Sequence, residues 1–101
     1  PLQALLNKKT ISKKRLLQLL DSEVYRLRQE NSYYEILRAS ELQKLERDRY
    51  WQKKPLNDPE YVASLKEMNL HFDQLVQVNA DAITLLSDRK SLIEQETTAA
   101  N

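Results

Sequence analysis

The residues of this chain that could do chemistry are few and badly spaced for it. One histidine, His71, has Glu67 four residues before it and Asp73 close after it. Helical spacing brings at most two of these to one side, whereas a metal ion needs three or four ligands meeting in space. A solvated histidine accounts for the pattern. Carboxylates alternate with cations, as in "ELQKLERDR" (Glu41–Arg49), but acid–base carboxylates need a concave, partly dry setting. Ser, His and Asp occur in no context that suggests a triad. The chain has no cysteine, which removes thiolate catalysis, disulfides and Cys-based zinc sites. It also has no glycine, and phosphate-cradling loops and dinucleotide fingerprints depend on glycine for close backbone approach. The expectation is a protein that is not an enzyme and uses no metal and no cofactor.

What remains is apolar surface. "QLVQVNADAITLLSDRKSLIEQ" (Gln74–Gln95) holds more apolar residues than one helical stripe can take. Leu75, Val76, Ala82, Ile83, Leu86 and Ile93 gather on one face at helical spacing. Val78, Leu85 and Leu92 fall seven residues apart on roughly the opposite face, and Leu70 also turns away from the main one. One stripe suffices to pack a helix against a neighbour. The second could be covered by the Leu2–Leu6 segment, buried in a homodimer, or be scattered exposed residues that need no explanation. A helix-in-groove contact uses the same i, i+7 arrangement. Val78, Leu85 and Leu92, with Ile93 beside them, are therefore the candidate protein-binding residues, and the three other covers stay open.

The elements that must carry this row are helical. Helix interiors tolerate glycine poorly, so a chain without it points to an all-α protein. At 101 residues it reads as a single helical domain, 1–101. "WQKKPLNDPEYV" holds two of the three prolines, and the residue before a proline is pushed out of the helical region. A first helix over 12–53, a turn at 54–58 and a second helix over 59–96 follow. Asp58 supplies the N-cap and Pro59 the first helical position. At 1.5 Å per residue the segments would span roughly 63 and 57 Å, close enough in length to pair. The fold class is an all-α, long antiparallel helical hairpin or coiled-coil-like bundle, to which Leu2, Leu5 and Leu6 could add a short N-terminal helix.

Ser12 or Thr10 caps the first helix, whose inward stripe reads Leu16, Leu20, Val24, Leu27, Asn31, Tyr34, Leu42 and Leu45. Ser32–Glu35 has capping-box spacing; continuity through it, with or without a kink, is the expectation. The second helix keeps Tyr61, Val62, Leu65, Met68, Phe72, Leu75, Val76, Ile83, Leu86 and Ile93 to one side. Asn31 and Asn79 interrupt the two stripes, as polar residues that fix register do. Tyr33, Tyr50 and Trp51 fall nearer the flanks, Trp51 sealing the end beside the turn. "ETTAAN" reads as a frayed tail.

Charge is polarised. Residues 1–54 carry 13 Lys/Arg and 7 Asp/Glu, a balance of +6, and residues 55–101 carry 3 and 8, a balance of −5. Opposite signs favour docking of the two helices, although each exposed contact is worth only a fraction of a kcal/mol. "NKKTISKKR" (Asn7–Arg15) holds five cations and no acid, which could neutralise phosphates. A solvated basic segment is the simpler reading, and nucleic acid is not an expected partner. No apolar run approaches the roughly 20 residues of a membrane-spanning helix. "PLQALLNKK" does not read as a secretion signal, being too short with its charge on the wrong side.

Two stretches resemble a known family. "LLQLLDSEVYRLRQENSYYEILRASELQKLERDRYW" (Leu16–Trp51) is similar in rhythm to the first helix of FlgN-type flagellar export chaperones. Leu16, Leu19, Leu20 and Glu23 match the L-x-x-L-L-x-x-E opening, and "ENSYYEIL" sits at the polar break. "LHFDQLVQVNADAITLLSDRKSLI" (Leu70–Ile93) looks like the C-terminal helix, with Asn79, Leu85 and Leu86 at its asparagine and leucine positions. The chain departs from the family at Asn31–Ser32, where a small residue or glycine is common, and at Glu41, near the place of a lysine that here follows at Lys44. The resemblance implies a cytoplasmic chaperone that hydrolyses no ATP and holds the terminal helices of hook-associated, type III secreted subunits. The contrasting expectation is a structural hairpin module that dimerises or scaffolds a larger assembly.

Overall fold

The computed structural model describes residues 12–100, with side chains described over 12–96. The Leu2–Leu6 segment, Thr10 and the start of the basic stretch lie outside the described residues. Two helices account for the described fold: α1, Lys13–Trp51, and α2, Pro59–Ala100. They pack against each other as an all-α helical hairpin. The chain falls into two compact units, one made of the residues up to Arg28 with those from Ala80 onward, the other Gln29–Asn79.

The start of α1 follows from Ser12. Its hydroxyl oxygen accepts from the Arg15 amide at 3.1 Å, and its carbonyl accepts from Leu16 at 3.0 Å. A serine at this position satisfies one of the amides that a helix start leaves without an internal partner. No break occurs at Ser32, where α1 is continuous. The serine's capping competes there with amides already bonded in the helix, and continuity wins.

In the first unit Leu20, Leu27 and Ile93 are buried, with Val24, Ile83 and Leu86 half-buried. Lys90 reaches across to Asp21 at 2.8 Å. In the second unit Tyr61, Phe72 and Asn79 are buried, and Leu37, Leu45, Leu65, Met68, Leu75 and Val76 are half-buried. Arg38 links α1 to Asp73 of α2 at 2.8 Å and to Glu35 on its own helix. Hydrogen bonds to Glu35 and then Asp73 raise the Arg38 guanidinium above its ordinary value. Leu42, expected on the inward stripe, is instead exposed; the inward positions of that turn are taken by Leu45 and Arg38.

The turn departs from the predicted boundary in an informative way. α1 stops at Trp51, and Lys53 takes a left-handed φ of 55°. The Lys53 amide then donates to the Tyr50 carbonyl and the Lys54 amide to the Arg49 carbonyl, both at 3.1 Å. This is a Schellman closure, with lysine where glycine is usual. Arg49 holds it from the side: one guanidinium nitrogen donates to the Lys54 carbonyl at 3.0 Å, another reaches Glu46 at 3.3 Å, and its cationic centre sits 5.4 Å from the Tyr61 ring centroid. The Tyr61 hydroxyl donates to the same Glu46 carboxylate. Asp58 caps α2 as predicted, accepting from the Tyr61 amide at 3.1 Å, and Pro59 opens the helix. At the other end α2 continues as helix to Ala100, beyond the predicted end at 96.

Candidate protein-binding face

α2 positions every candidate binding residue. Successive members of a seven-residue series lie about 10.5 Å apart along a helix and drift only slowly around it. In the first unit Leu85 is 70% exposed and Leu92 is 52% exposed. In the second unit Val78 is 67% exposed, and Leu70 is exposed as well. Ile93 is different. Only 6% of it is accessible, so it belongs to the core stripe of the first unit and leaves the candidate set. One residue step along the helix turns a side chain by about 100°, which separates Ile93 from Leu92.

A leucine that passes from water to an apolar partner contributes about 1.5–3 kcal/mol. Leu85 and Leu92 are therefore the apolar contributors that α2 offers to a partner in the first unit. Asp88, Arg89 and Glu96 are exposed on the same side of α2, which gives the leucines a border of mixed charge.

The second unit adds further exposed apolar residues, of which Tyr33, Tyr50 and Trp51 were expected near the flanks and Ile36 and Leu56 were not read from the sequence. Trp51 is 74% exposed, so it does not seal the end of the hairpin. Its ring meets Tyr50 edge-on at 5.8 Å, and Tyr50 is itself exposed. Capping of that end falls to Arg49 and Tyr61. Tyr33 and Ile36 are exposed on α1, as is Leu56 in the turn. Arg49 was missed because charged residues on core-facing positions read as surface. Its position four residues after Leu45, just ahead of Pro55, was the available signal.

His71 is exposed and lies edge-on to Phe72 at 5.3 Å. It borders an open hollow of about 460 Å³ with Glu41, Glu67 and Met68 among its walls. Among the described residues no three His, Cys, Asp or Glu side chains come together to hold a metal ion. Among them, too, no helix is long and apolar enough to cross a membrane.

Asn31 and Asn79 meet inside the second unit. The Asn79 side-chain amide donates to Asn31 Oδ1 and to Glu30 Oε1, each at 3.0 Å. Asn31 in turn donates to the Val76 carbonyl at 3.3 Å, and the Tyr34 hydroxyl to Glu30 at 2.9 Å. The network is a cross-helix register device with its polar groups paired. Comparison of the chain with protein-family models, with curated proteins and with solved structures gives no match.

Proposed function

We propose that this chain is a protein-holding helical hairpin, and specifically a FlgN-type export chaperone. It would keep the terminal amphipathic helices of flagellar hook-associated, type III secreted subunits from assembling in the cytoplasm before export. The observation that carries the reading is the exposure of Leu85 and Leu92, seven residues apart on α2, beside a buried Ile93. A client helix would lay its apolar stripe over those leucines, as amphipathic helices do in grooves. Val78 offers the second unit's contribution to the same kind of contact. Support for the flagellar part comes from the resemblance of Leu16–Trp51 and Leu70–Ile93.

The test is the double variant Leu85→Glu, Leu92→Glu, titrated with a peptide of a hook-associated terminal helix. Unchanged helicity and size with lost peptide binding is the expected result. Wild-type chain that ignores every such peptide at high micromolar concentration would remove the chaperone reading.

A second reading is favoured by a different observation: Tyr33, Ile36, Tyr50 and Trp51 are exposed on the other helix. A structural module that contacts neighbours along α1 and α2 uses both. The Leu85→Glu, Leu92→Glu chain would then fall to a smaller assembly.

A further inference from the structure

In the second unit the side of α1 turned away from α2 is uncovered among the described residues and carries no acid. Tyr33, Ile36, Lys44, Arg47, Tyr50 and Trp51 share an arc of about 120° around the helix, and all six are exposed. Their row is about 27 Å long at the helical rise. The acids of the same stretch, Glu30, Glu35, Glu41, Glu46 and Asp48, all lie about 100° or more from the midline of that row. Three of them are engaged elsewhere: Glu30 by Asn79, Glu35 by Arg38 and Glu46 by Arg49. Lys44 and Arg47 make no ion pair among the described residues. Lys53 adds an exposed cation just past the helix end.

The order of residues along the row decides what fits it. A protein-docking patch has an apolar, charge-poor centre inside a polar rim. Here Ser40, Gln43, Lys44 and Arg47 occupy the middle. The large apolar side chains sit in two groups at the ends, about 21 Å apart. A single nucleic-acid strand stacks successive bases on aromatic faces. The neighbouring Tyr50 and Trp51 rings stand at 81° to each other, so they cannot both stack in one run of bases. The surface of a bilayer suits the row better. Tryptophan and tyrosine settle at the headgroup level, and each cation near anionic lipid strengthens attachment roughly fivefold.

We infer that this face of α1 lies on an anionic lipid bilayer surface. Lys44 and Arg47 meet lipid phosphates in the middle of the row. Tyr33 and Ile36 at one end, and Tyr50 and Trp51 at the other, enter the headgroup layer. Glu41 and Asp48 stay at the sides, in water. Attachment of this kind grows with the apolar area entered and the anionic charge met, and it is reversible. The face shares no residue with the leucine row of α2, so it stands whether or not a client is held.

The test is flotation of the full chain with vesicles of equal parts phosphatidylcholine and phosphatidylglycerol, against vesicles of phosphatidylcholine alone. Emission of Trp51, the only tryptophan, gives a second readout. Wild type should float with the anionic vesicles, shift its emission to the blue, and be released by high salt. Lys44→Gln with Arg47→Gln should weaken flotation roughly twentyfold, two cations at roughly fivefold each. Tyr50→Ser with Trp51→Ser should weaken it as well. Both variants change only exposed side chains, so their helicity should match wild type. Wild type that ignores the anionic vesicles overturns the inference. Flotation that either variant keeps at full strength also overturns it, and then belongs to the basic stretch Lys8–Arg15. A Trp51 shift that follows chain concentration or a single-stranded oligonucleotide, without lipid, does the same. The client reading survives each of these results, because its peptide titration reads the leucines of α2.

Discussion

Lys53 is the residue at which the backbone is most at odds with its side chain. A left-handed conformation costs an L-residue roughly 1–2 kcal/mol, and glycine takes it freely at the price of a looser unfolded chain. Lys53→Gly should therefore raise stability by about 0.5–1 kcal/mol net. A urea titration checks it, and a loss of stability would mean that the lysine side chain contributes more than its backbone strain costs. Asp58 works in the opposite sense. Its carboxylate serves the Tyr61 amide, so Asp58→Ala should lower stability by about 1 kcal/mol in the same titration. These two residues also mark what was readable locally. Asp58–Pro59 is a cap and first-turn pair whose meaning is chemical, and it was legible. The Schellman closure at Lys53 was hidden, because without glycine nothing in the sequence advertises a left-handed residue, and the helix was expected to run two residues too far.

At the scale of the elements, leucine periodicity predicted which sides of α1 and α2 meet, but not how they are held in register. That falls to the Asn31–Asn79–Glu30 network. Removing one member takes a hydrogen bond from its half-buried partners, a cost of about 1 kcal/mol. Asn79→Ala should thus destabilise by that amount in a denaturant titration. The paired change Asn31→Leu with Asn79→Leu should recover much of it, since apolar replacement of a buried polar set is often neutral or better. The recovered chain should nonetheless show less uniform amide-exchange protection around these positions; equal protection would mean the network does not select register. The positions of both asparagines on their stripes were legible. Glu30 was not, because its role depends on Asn79, 49 residues away; Tyr34 was legible on the inward stripe, but its bond to Glu30 was not. Ile93 was legible on the core stripe, seven residues after Leu86, and joined the binding set only because it adjoins Leu92; its burial returns it to the stripe. Leu42 failed for a related reason, since an apolar residue at roughly helical spacing is not thereby at the interface.

Across the whole molecule a formal net charge of +1 hides cationic and acidic halves, and some of that opposition is spent on pairs that tie elements together. Lys90 is raised above the ordinary lysine value chiefly by its hydrogen bond to Asp21, and Lys54 by its bond to Glu60. Both groups are exposed, so they shape the pH profile more than they fix its height. A raised folded pKa means the folded chain binds the proton more tightly than the unfolded chain does. The stabilisation is then complete below the unfolded lysine pKa of about 10.4, and it fades as pH climbs through the higher folded value. Stability should accordingly decline on the alkaline side in urea titrations taken between neutral and strongly alkaline pH. Asp21→Asn removes the charge that raises Lys90 and leaves every tyrosine in place. The difference between the two profiles should be constant from neutral pH to about 10 and should shrink above it as Lys90 loses its proton. A difference that stayed constant to the highest pH would show that the pair across α1 and α2 contributes nothing to the first unit.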